Sequence, residues 1–254
     1  MKRLVALAAL PLLLLACSKA PEPVATAPKA LVQKTAIEWV KPVDANIDAI
    51  FAQAKAANKP VFLYWGAVWC PPCNQIKATV FNRQDFIDRS SFFVPVYLDG
   101  DTPGAQKLGA RFKVRGYPTM ILFKPDGTEL TRLPGEVDSS QYMELLSLGL
   151  GATNSVKESL AVALGQGSPV PTAKLTADSL RMLAYYSWDT DEAQLLPKTE
   201  LAATLHKLAQ SCPTEYAQPA ARLALKAIAA GAQSKAGITD KATALPRLQQ
   251  TLGD

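Results

Sequence analysis

A short apolar run followed closely by two cysteines constrains this chain more than any other feature. Val61-Phe62-Leu63-Tyr64-Trp65 is apolar without alternation, which is typical of a strand buried on both faces of a sheet. The segment Trp69-Cys70-Pro71-Pro72-Cys73 follows, and a helical pattern continues through Val80. Pro71 suits the first turn of a helix, because the N–H that proline lacks has no partner there. The sequence therefore predicts a buried strand, a cysteine pair at a helix N-terminus and an α/β fold.

The spacing of the two cysteines predicts their chemistry. Two thiols three residues apart can close a small disulfide, and the unpaired N–H groups of a helix N-terminus stabilise the thiolate of the first. Thiolate is the nucleophile in thiol–disulfide exchange. Cys70 is therefore predicted to attack a partner disulfide, and Cys73 to resolve the mixed disulfide that forms. Trp69 is expected to shield one side of the pair.

The elements predicted around this pair follow the order of an α/β layered domain. Apolar residues at helical spacing run over Asp44–Ala57, and Asn58-Lys59-Pro60 ends that pattern. A turn at Lys124-Pro125-Asp126-Gly127 separates two short strands. The remaining predicted elements are strands over Phe92–Leu98, Thr119–Phe123 and Thr128–Leu133, a helix over Ala105–Phe112, and a last helix with the capping residues Asp138 and Gln141.

Three motifs, in order and in register, resemble the thioredoxin family. They are Trp69-Cys70-Pro71-Pro72-Cys73, Val114-Arg115-Gly116-Tyr117-Pro118-Thr119 and Phe123-Lys124-Pro125-Asp126-Gly127. Two further segments, Phe81-Asn82-Arg83 through Asp99 and Pro134-Gly135-Glu136, are similar to the soluble domains of bacterial periplasmic thiol:disulfide interchange reductases. The resemblance implies a thioredoxin fold over residues 37–152, with a central mixed sheet flanked by helices.

The resemblance also implies roles for residues near the cysteine pair. In the family, the proline that matches Pro118 follows a cis peptide bond, a minority form, and lies against the cysteines. Tyr117, Pro118 and Thr119 are therefore expected to position a bound substrate strand, with Trp69 beside them. Pro71-Pro72 is the spacer between the two thiols. The family activity is disulfide reduction, oxidation or isomerisation, with no cofactor besides the redox-active disulfide Cys70-Cys73.

One position departs from the family pattern. Many thioredoxins carry a buried Asp six residues before the first cysteine, where it assists proton transfer at the second thiol. This chain has Tyr64 there, and a phenol with a pKa of about 10 is a poor base at neutral pH. Deprotonation of Cys73 is expected to be slower and to use water or another group. Asp99 and Asp101 are candidates, although a role in the loop after their strand is favoured.

The N-terminal segment predicts export and lipid attachment. After a basic start, Leu4–Ala16 is apolar, too short to span a membrane and typical of a signal peptide. Leu14-Leu15-Ala16-Cys17 resembles the lipobox of bacterial lipoproteins, which implies cleavage after residue 16 and a lipid anchor on Cys17. Ser18 resembles outer-membrane cargo of that class. Residues 17–36, rich in Pro and Ala, predict a tether. The alternative is an ordinary signal peptide with an incidental Cys17.

The remaining cysteine and the single histidine receive structural interpretations. The chain has four cysteines in 254 residues, too few for a disulfide scaffold. Cys70, Cys73, His206 and Cys212 could nominally bind zinc, but a long stretch of chain separates them and no metal site is predicted. His206 is interpreted as a solvated helix residue. Cys212 is interpreted as a structural thiol, with an auxiliary redox role as the alternative.

From about Asn154 onward, Ala and Leu dominate and β-branched runs disappear. This change predicts a smaller all-α domain over residues 153–254. Its sequence identifies no family for it, and it could grip a partner, mediate dimerisation or support the first domain. The aromatic residues Tyr185, Tyr186 and Trp188 are expected in its core. The predicted helices are Ser155–Leu164, Ala177–Trp188, Lys198–Gln210, Thr214–Ala230 and Asp240–Leu252.

Together these features predict a membrane-tethered thiol:disulfide oxidoreductase of the bacterial cell envelope, facing the periplasm, with the outer membrane favoured. Reduction of disulfide-bearing envelope proteins is expected, with a membrane thiol reductase as electron donor. A net oxidase or isomerase is the alternative in the same class. A binding or assembly lipoprotein, acting through its helical domain with the cysteine pair regulatory, is the alternative from another class. The net charge of +5 and the lack of long basic runs argue against nucleic acid as a partner.

Overall fold

A computed structural model describes residues 34–133, 139–166, 175–189, 191 and 193–234. The predicted signal peptide, Cys17 and most of the predicted tether lie outside these residues, as do Pro134-Gly135-Glu136, Asp138 and the helix predicted over Asp240–Leu252. The described residues belong to one compact unit. Within them, every helix is too short or too polar to cross a membrane.

The described residues contain a mixed four-stranded sheet, as predicted. Its strand order is β2–β1–β3–β4. The central strand β1 pairs in parallel with β2 and antiparallel with β3, so that Leu63 lies between Val96 and Ile121. Strand β4 pairs antiparallel with β3. The strands are β1 Val61–Gly66, β2 Val94–Asp99, β3 Thr119–Phe123 and β4 Glu129–Leu133.

Helices cover both faces of this sheet. Successive side chains of β1 point to opposite sides, and because they are apolar throughout, both faces must be covered. Phe62 and Tyr64 face one core, which is shared with the helices after the cysteine pair and with α5. Leu63 and Trp65 face the other core, which is shared with α1 and α4. The helices are α1 Ile47–Ala57, α2 Pro71–Ile76 continued by a π-helical turn Lys77–Phe81, α3 Gln84–Arg89, α4 Pro103–Arg111 and α5 Ser139–Gly151.

The start of β2 differs from the sequence prediction. The strand begins at Val94, and the predicted first residue, Phe92, lies in a 3₁₀ turn and is 67% exposed. Helix α3, which the sequence did not predict, precedes this turn. The Ser90 and Ser91 hydroxyls donate hydrogen bonds to carbonyls of α3, each at 2.6 Å. These bonds satisfy the last carbonyls of the helix and extend the helical path before the strand begins.

The region after α5 is helical, as predicted. Ser155 and Glu158 form a reciprocal capping box at the start of α6. Helix α7 ends at Tyr185, before the predicted Trp188, whose indole N–H donates to the carbonyl of Leu183 at 2.8 Å and so satisfies the helix end. The helices are α6 Val156–Ala163, α7 Ala177–Tyr185, α8 Lys198–Ser211 and α9 Ala217–Ser234, the last preceded by a 3₁₀ turn over Thr214–Tyr216.

These later helices pack directly against the thioredoxin-like part of the chain. A continuous core runs from sheet residues such as Leu122 to Leu183 and Leu205 in the helical region. The predicted aromatic core is confirmed, because Tyr185, Tyr186 and Trp188 are at most 3% exposed. The two parts of the chain therefore share buried apolar surface, which is the dominant stabilising contribution in such packing.

Candidate active site

The two cysteines of the predicted pair are joined by a disulfide just after β1. Their Cα atoms are 5.2 Å apart. Cys70 is the N-cap residue of α2, and its Sγ accepts a hydrogen bond from the N–H of Cys73 at 3.2 Å. Cys73 is completely buried, whereas Cys70 keeps 2% of its surface exposed. Cys70 is therefore the more accessible of the two cysteines.

The Pro-Pro spacer determines which backbone N–H reaches the first sulfur. Pro71 and Pro72 occupy the first two positions of α2, where an N–H has no partner within the helix. Because neither proline carries an N–H, that of Cys73 is the first in the helix, and it points at Cys70 Sγ. A hydrogen-bond donor and the positive end of a helix both stabilise a thiolate. The local geometry therefore suits Cys70 as the nucleophilic thiolate once the disulfide is reduced.

Trp69 stands beside the disulfide as an exposed but anchored aromatic side chain. It is 67% exposed. Its indole N–H donates a hydrogen bond to Asp101 Oδ2 at 2.7 Å. The loop that carries Asp101 is itself held by the Asp99 carboxylate, which accepts from the Asp101 N–H at 3.2 Å. Asp99, the last residue of β2, therefore holds the loop that follows it, and Asp101 in that loop fixes the orientation of Trp69.

The loop before β3 faces the disulfide from the other side. The peptide bond between Tyr117 and Pro118 is cis, as the resemblance implied. The Thr119 hydroxyl donates to the carbonyl of Gly116 at 2.8 Å, which closes the loop on itself. The Tyr117 ring packs against the cluster that contains both cysteines. Its hydroxyl accepts from Gln106 Nε2 at 2.9 Å.

Gly100 makes room for the Tyr117 ring. A Cβ atom built on Gly100 would overlap the ring atoms of Tyr117. The side-chain amide of Gln106 also donates to the Gly100 carbonyl, so α4, the loop after β2 and the cis-proline loop meet at this point. A larger residue at position 100 would displace the tyrosine, because a backbone hydrogen bond holds this glycine against Gly66.

A groove of about 600 Å³ lies along the disulfide. Trp69, Cys70 and the two spacer prolines form one wall, and α4 with the cis-proline loop forms the other. This volume is in the usual range of ligand sites. The sequence-predicted residues Trp69, Cys70, Pro71, Pro72 and Tyr117 all line it. Pro118 follows Tyr117 in the loop and Thr119 begins β3, and the lining includes neither of these two nor the buried Cys73.

Comparison with known proteins identifies the family. The family model of the thioredoxin-like domain matches residues 47–149. A thioredoxin of Mycobacterium bovis is 32% identical over 101 residues, which span 39% of this chain and 83% of that protein. The chain belongs to the thioredoxin family. Its disulfide, Pro-Pro spacer and cis-proline loop therefore form a thioredoxin-like disulfide oxidoreductase site.

Other relatives of this thioredoxin-family chain are much longer proteins. The thiol:disulfide interchange protein DsbD 1 of Pseudomonas aeruginosa is 32% identical over 106 residues, which span 40% of this chain but 18% of that protein. The chain thus matches less than a fifth of that relative's length. Among solved structures, a thioredoxin from Thermus thermophilus is 27% identical, covers 39% of this chain and 80% of its own, and superposes with a TM-score of 0.36.

Tyr64 differs structurally from the acid that many thioredoxins carry at this position. Its side chain is 1% exposed, and its hydroxyl has no hydrogen-bond partner among the described residues. Burial, and secondarily the nearby Tyr97, raise the pKa of Tyr64 far above its ordinary value. The phenol therefore stays protonated at every physiological pH, and it cannot act as the base for Cys73.

The structure separates the other titratable candidates from the disulfide. Cys212 is buried at the end of α8, and its thiol donates to the carbonyl of Leu208 at 3.3 Å. His206 is half-buried on the same helix. Among the described residues, no group of three or more His, Cys, Asp or Glu side chains is arranged to hold a metal ion. Cys212 therefore belongs to the core of the helical region, as predicted, whereas His206, predicted to be solvated, is half-buried.

Three residues of the site were not predicted as site residues from the sequence. Asp101 was considered for proton transfer, but it instead anchors Trp69. Gln106 and Gly100 support Tyr117, and neither was singled out. The loop that begins at Gly100, directly after a buried strand, was the available signal, because binding and catalytic residues often lie on loops held by a rigid scaffold.

Proposed function

We propose that this protein is a membrane-tethered thiol:disulfide oxidoreductase of the bacterial cell envelope that reduces disulfides of partner proteins. The observation that carries the proposal is the placement of the Cys70-Cys73 disulfide at a groove between Trp69 and the cis-proline loop. Cys70 is the cysteine with exposed surface and with a donor directed at its sulfur. It is therefore the attacking thiol, and the completely buried Cys73 resolves the intermediate.

The proposed reaction starts from the reduced dithiol. The Cys70 thiolate attacks one sulfur of the partner disulfide, the partner S–S bond breaks, and one partner thiolate leaves with the electron pair. Cys73 then loses its proton and attacks Cys70 Sγ, which releases the second partner thiolate and closes the disulfide. Two electrons pass from the protein to the partner, the Cys73 proton leaves to water, and the two partner thiolates take up their protons from water. A membrane thiol reductase returns the electrons through the same pair of steps in reverse.

The proton of Cys73 leaves without help from Tyr64, whose phenol stays protonated. Asp101 is committed to Trp69, and Asp99 to its own loop. The Cys73 proton is therefore proposed to pass to water that enters the groove beside Cys70. The second step is therefore proposed to depend on hydroxide concentration more steeply than in a thioredoxin with an acid at that position.

The proposed location rests on the N-terminal sequence. Cys17 follows Leu14-Leu15-Ala16 and becomes the lipidated N-terminus, so residues 17–36 tether the folded part to the membrane. Ser18 favours the outer membrane, with the protein facing the periplasm. Incorporation of radiolabelled palmitate tests this step. The wild-type protein is expected to take up label and partition with membranes, and Cys17→Ala to do neither, whereas label uptake by both forms would contradict it.

Trapping of mixed disulfides in cells tests the catalytic part of the proposal. The Cys73→Ser variant of the full chain is expected to accumulate reducible adducts with envelope proteins, because it can attack but cannot resolve. Cys70→Ser is the matched control and is expected to give none. Absence of adducts with Cys73→Ser would contradict the proposal. Thiol alkylation in cells gives the direction, since a reductase is kept as the dithiol and an oxidase as the disulfide.

A further inference from the structure

A second groove adjoins the disulfide groove. It has a volume of about 490 Å³ and is lined by residues of the helical region together with Arg115. Arg115 also lines the disulfide groove and lies two residues before Tyr117 in the cis-proline loop. The two grooves therefore meet at Arg115, which is the residue common to both linings among the described residues.

We propose that the second groove binds an apolar side chain of the substrate, in the extended segment that flanks the substrate's cysteine. The helical region would then select substrates as well as support the fold. This inference rests on the proposed exchange at Cys70, and it adds a site about which the family assignment says nothing. An extended segment places alternate side chains on one face, so a pocket beside the reacting sulfur can recognise a residue at a fixed distance along the chain.

The second groove is held in shape by hydrogen bonds before any substrate binds. Asp191 accepts from the Tyr186 hydroxyl at 2.8 Å and from the Leu195 N–H at 2.6 Å, which fixes the segment before α8. Lys113 Nζ, at the base of the cis-proline loop, donates to the carbonyl of Ala193 at 2.9 Å. This last bond fastens the cis-proline loop to the helical region. A preorganised pocket loses less conformational entropy when a ligand binds, so more of the contact energy remains as affinity.

Part of the second groove is apolar and suits an uncharged side chain, while charged and polar residues form the rest. Leu196, Pro197 and Leu201 contribute aliphatic surface, whereas Trp188 also lines the groove but is only 3% exposed. Among the described lining residues, Arg115 and Lys198 are accompanied by Asp189 and Asp191, so both signs of charge are present. The volume accommodates a large aliphatic or aromatic side chain with its flanking backbone.

A set of synthetic peptide disulfides tests the inference with the full, pre-reduced protein. Each peptide contains one cysteine in a Gly/Ser sequence, joined by a disulfide to 2-nitro-5-thiobenzoate, and a single leucine is moved along the sequence on either side. Cys70 attacks the peptide sulfur, the bond to the aryl sulfur breaks and the coloured aryl thiolate leaves with the electron pair. The wild-type protein is expected to react about tenfold faster with leucine at one position on one side, a factor equal to about 1.4 kcal/mol.

Two substitutions show whether that preference belongs to the second groove. Leu201→Asp is expected to abolish the leucine preference, so that the ratio of the two rate constants falls to about 1. Leu225→Asp is the matched control, because Leu225 is 45% exposed on α9 and does not line the groove. It is expected to keep the preference. The measured quantity is the ratio of second-order rate constants for the leucine and serine peptides, so a general change in reactivity cancels.

The outcomes separate this inference from the proposed function. Equal rates for all peptides with the wild-type protein, or a preference that survives Leu201→Asp in a folded variant, would overturn the second groove as a substrate site. If Leu201→Asp fails to fold, the scan on the wild-type protein decides alone, since absence of a one-sided preference overturns the inference. Failure of every peptide to release the aryl thiolate would instead overturn the proposed exchange at Cys70.

Discussion

Replacement of Tyr64 by Phe is expected to stabilise the protein. The Tyr64 hydroxyl is buried with no partner among the described residues, while its ring packs against Phe81 and Tyr97 with centroids 5.0 and 5.3 Å away. Burying an unpaired hydroxyl costs about 1–3 kcal/mol. Removing one oxygen leaves a void on the order of 10 Å³, which costs about 0.2 kcal/mol. The net gain is about 1 kcal/mol, which corresponds to about 2–4 °C in Tm.

Urea and thermal unfolding of the oxidised protein at pH 7 measure this effect. Tyr186→Phe is the matched control, because Tyr186 is equally buried but its hydroxyl donates to Asp191 Oδ1 at 2.8 Å. That variant is expected to lose about 1.5–3 kcal/mol. A lower stability of Tyr64→Phe than of the wild-type protein would refute the reasoning, since it would mean that the hydroxyl has a stabilising partner.

The alkaline limb of the stability profile provides a second readout for Tyr64. Burial raises the pKa of Tyr64 above its value in the unfolded chain, about 10. Below pH 10 both the folded and the unfolded protein hold the Tyr64 proton, so the contribution of this group to the free energy of unfolding is fully present. Above pH 10 the unfolded chain releases the proton and the folded protein keeps it, so stability falls as pH rises. Tyr64→Phe removes one such proton, and its stability is expected to fall less steeply, by about 1.4 kcal/mol per pH unit.

Two further substitutions test the supports of the site and of the fold. Asp101→Ala removes the acceptor of the Trp69 indole N–H. It is expected to slow the reaction with a peptide disulfide about three- to tenfold, which is the equivalent of an exposed charge-assisted hydrogen bond. Asp101→Asn keeps an acceptor oxygen and should retain most of the rate, and an equal loss of rate in both variants would argue against the indole contact. Gly149→Ala places a Cβ 2.7 Å from Leu122 Cδ2 and is expected to cost about 1–2 kcal/mol in urea unfolding. Gly151→Ala, whose Cβ meets no atom within 4 Å, should be neutral or stabilising, and similar losses in both would exclude a steric cause.

Local sequence patterns correctly predicted the central strand and the helix that begins at the cysteine pair. The unbroken apolar run at β1 predicted a strand covered on both faces, and the structure confirms it. The cysteine pair next to Pro71 predicted a helix that starts there, and Cys70 is its N-cap. These features depend on side-chain spacing and on which backbone groups lack partners, and both can be read along the chain.

The features that the sequence could not predict depend on contacts between distant segments. Nothing local indicates that Asp101 meets the Trp69 indole or that Gly100 lies under the Tyr117 ring. Helix α3 was missed because it is short and its N-cap residue, Arg83, makes no side-chain cap hydrogen bond. The second groove combines Arg115 with residues that follow it by more than 70 positions, so the folded chain was needed to find it.

Mass spectrometry of the two single-serine variants, each reduced and mixed with one peptide disulfide, tests the order of attack most directly. A peptide adduct on Cys70 is expected in Cys73→Ser, stable until a thiol reductant is added. Little or no adduct is expected in Cys70→Ser, because Cys73 is completely buried. Adduct formation on Cys73 at a rate equal to that on Cys70 would contradict the assignment of Cys70 as the nucleophile.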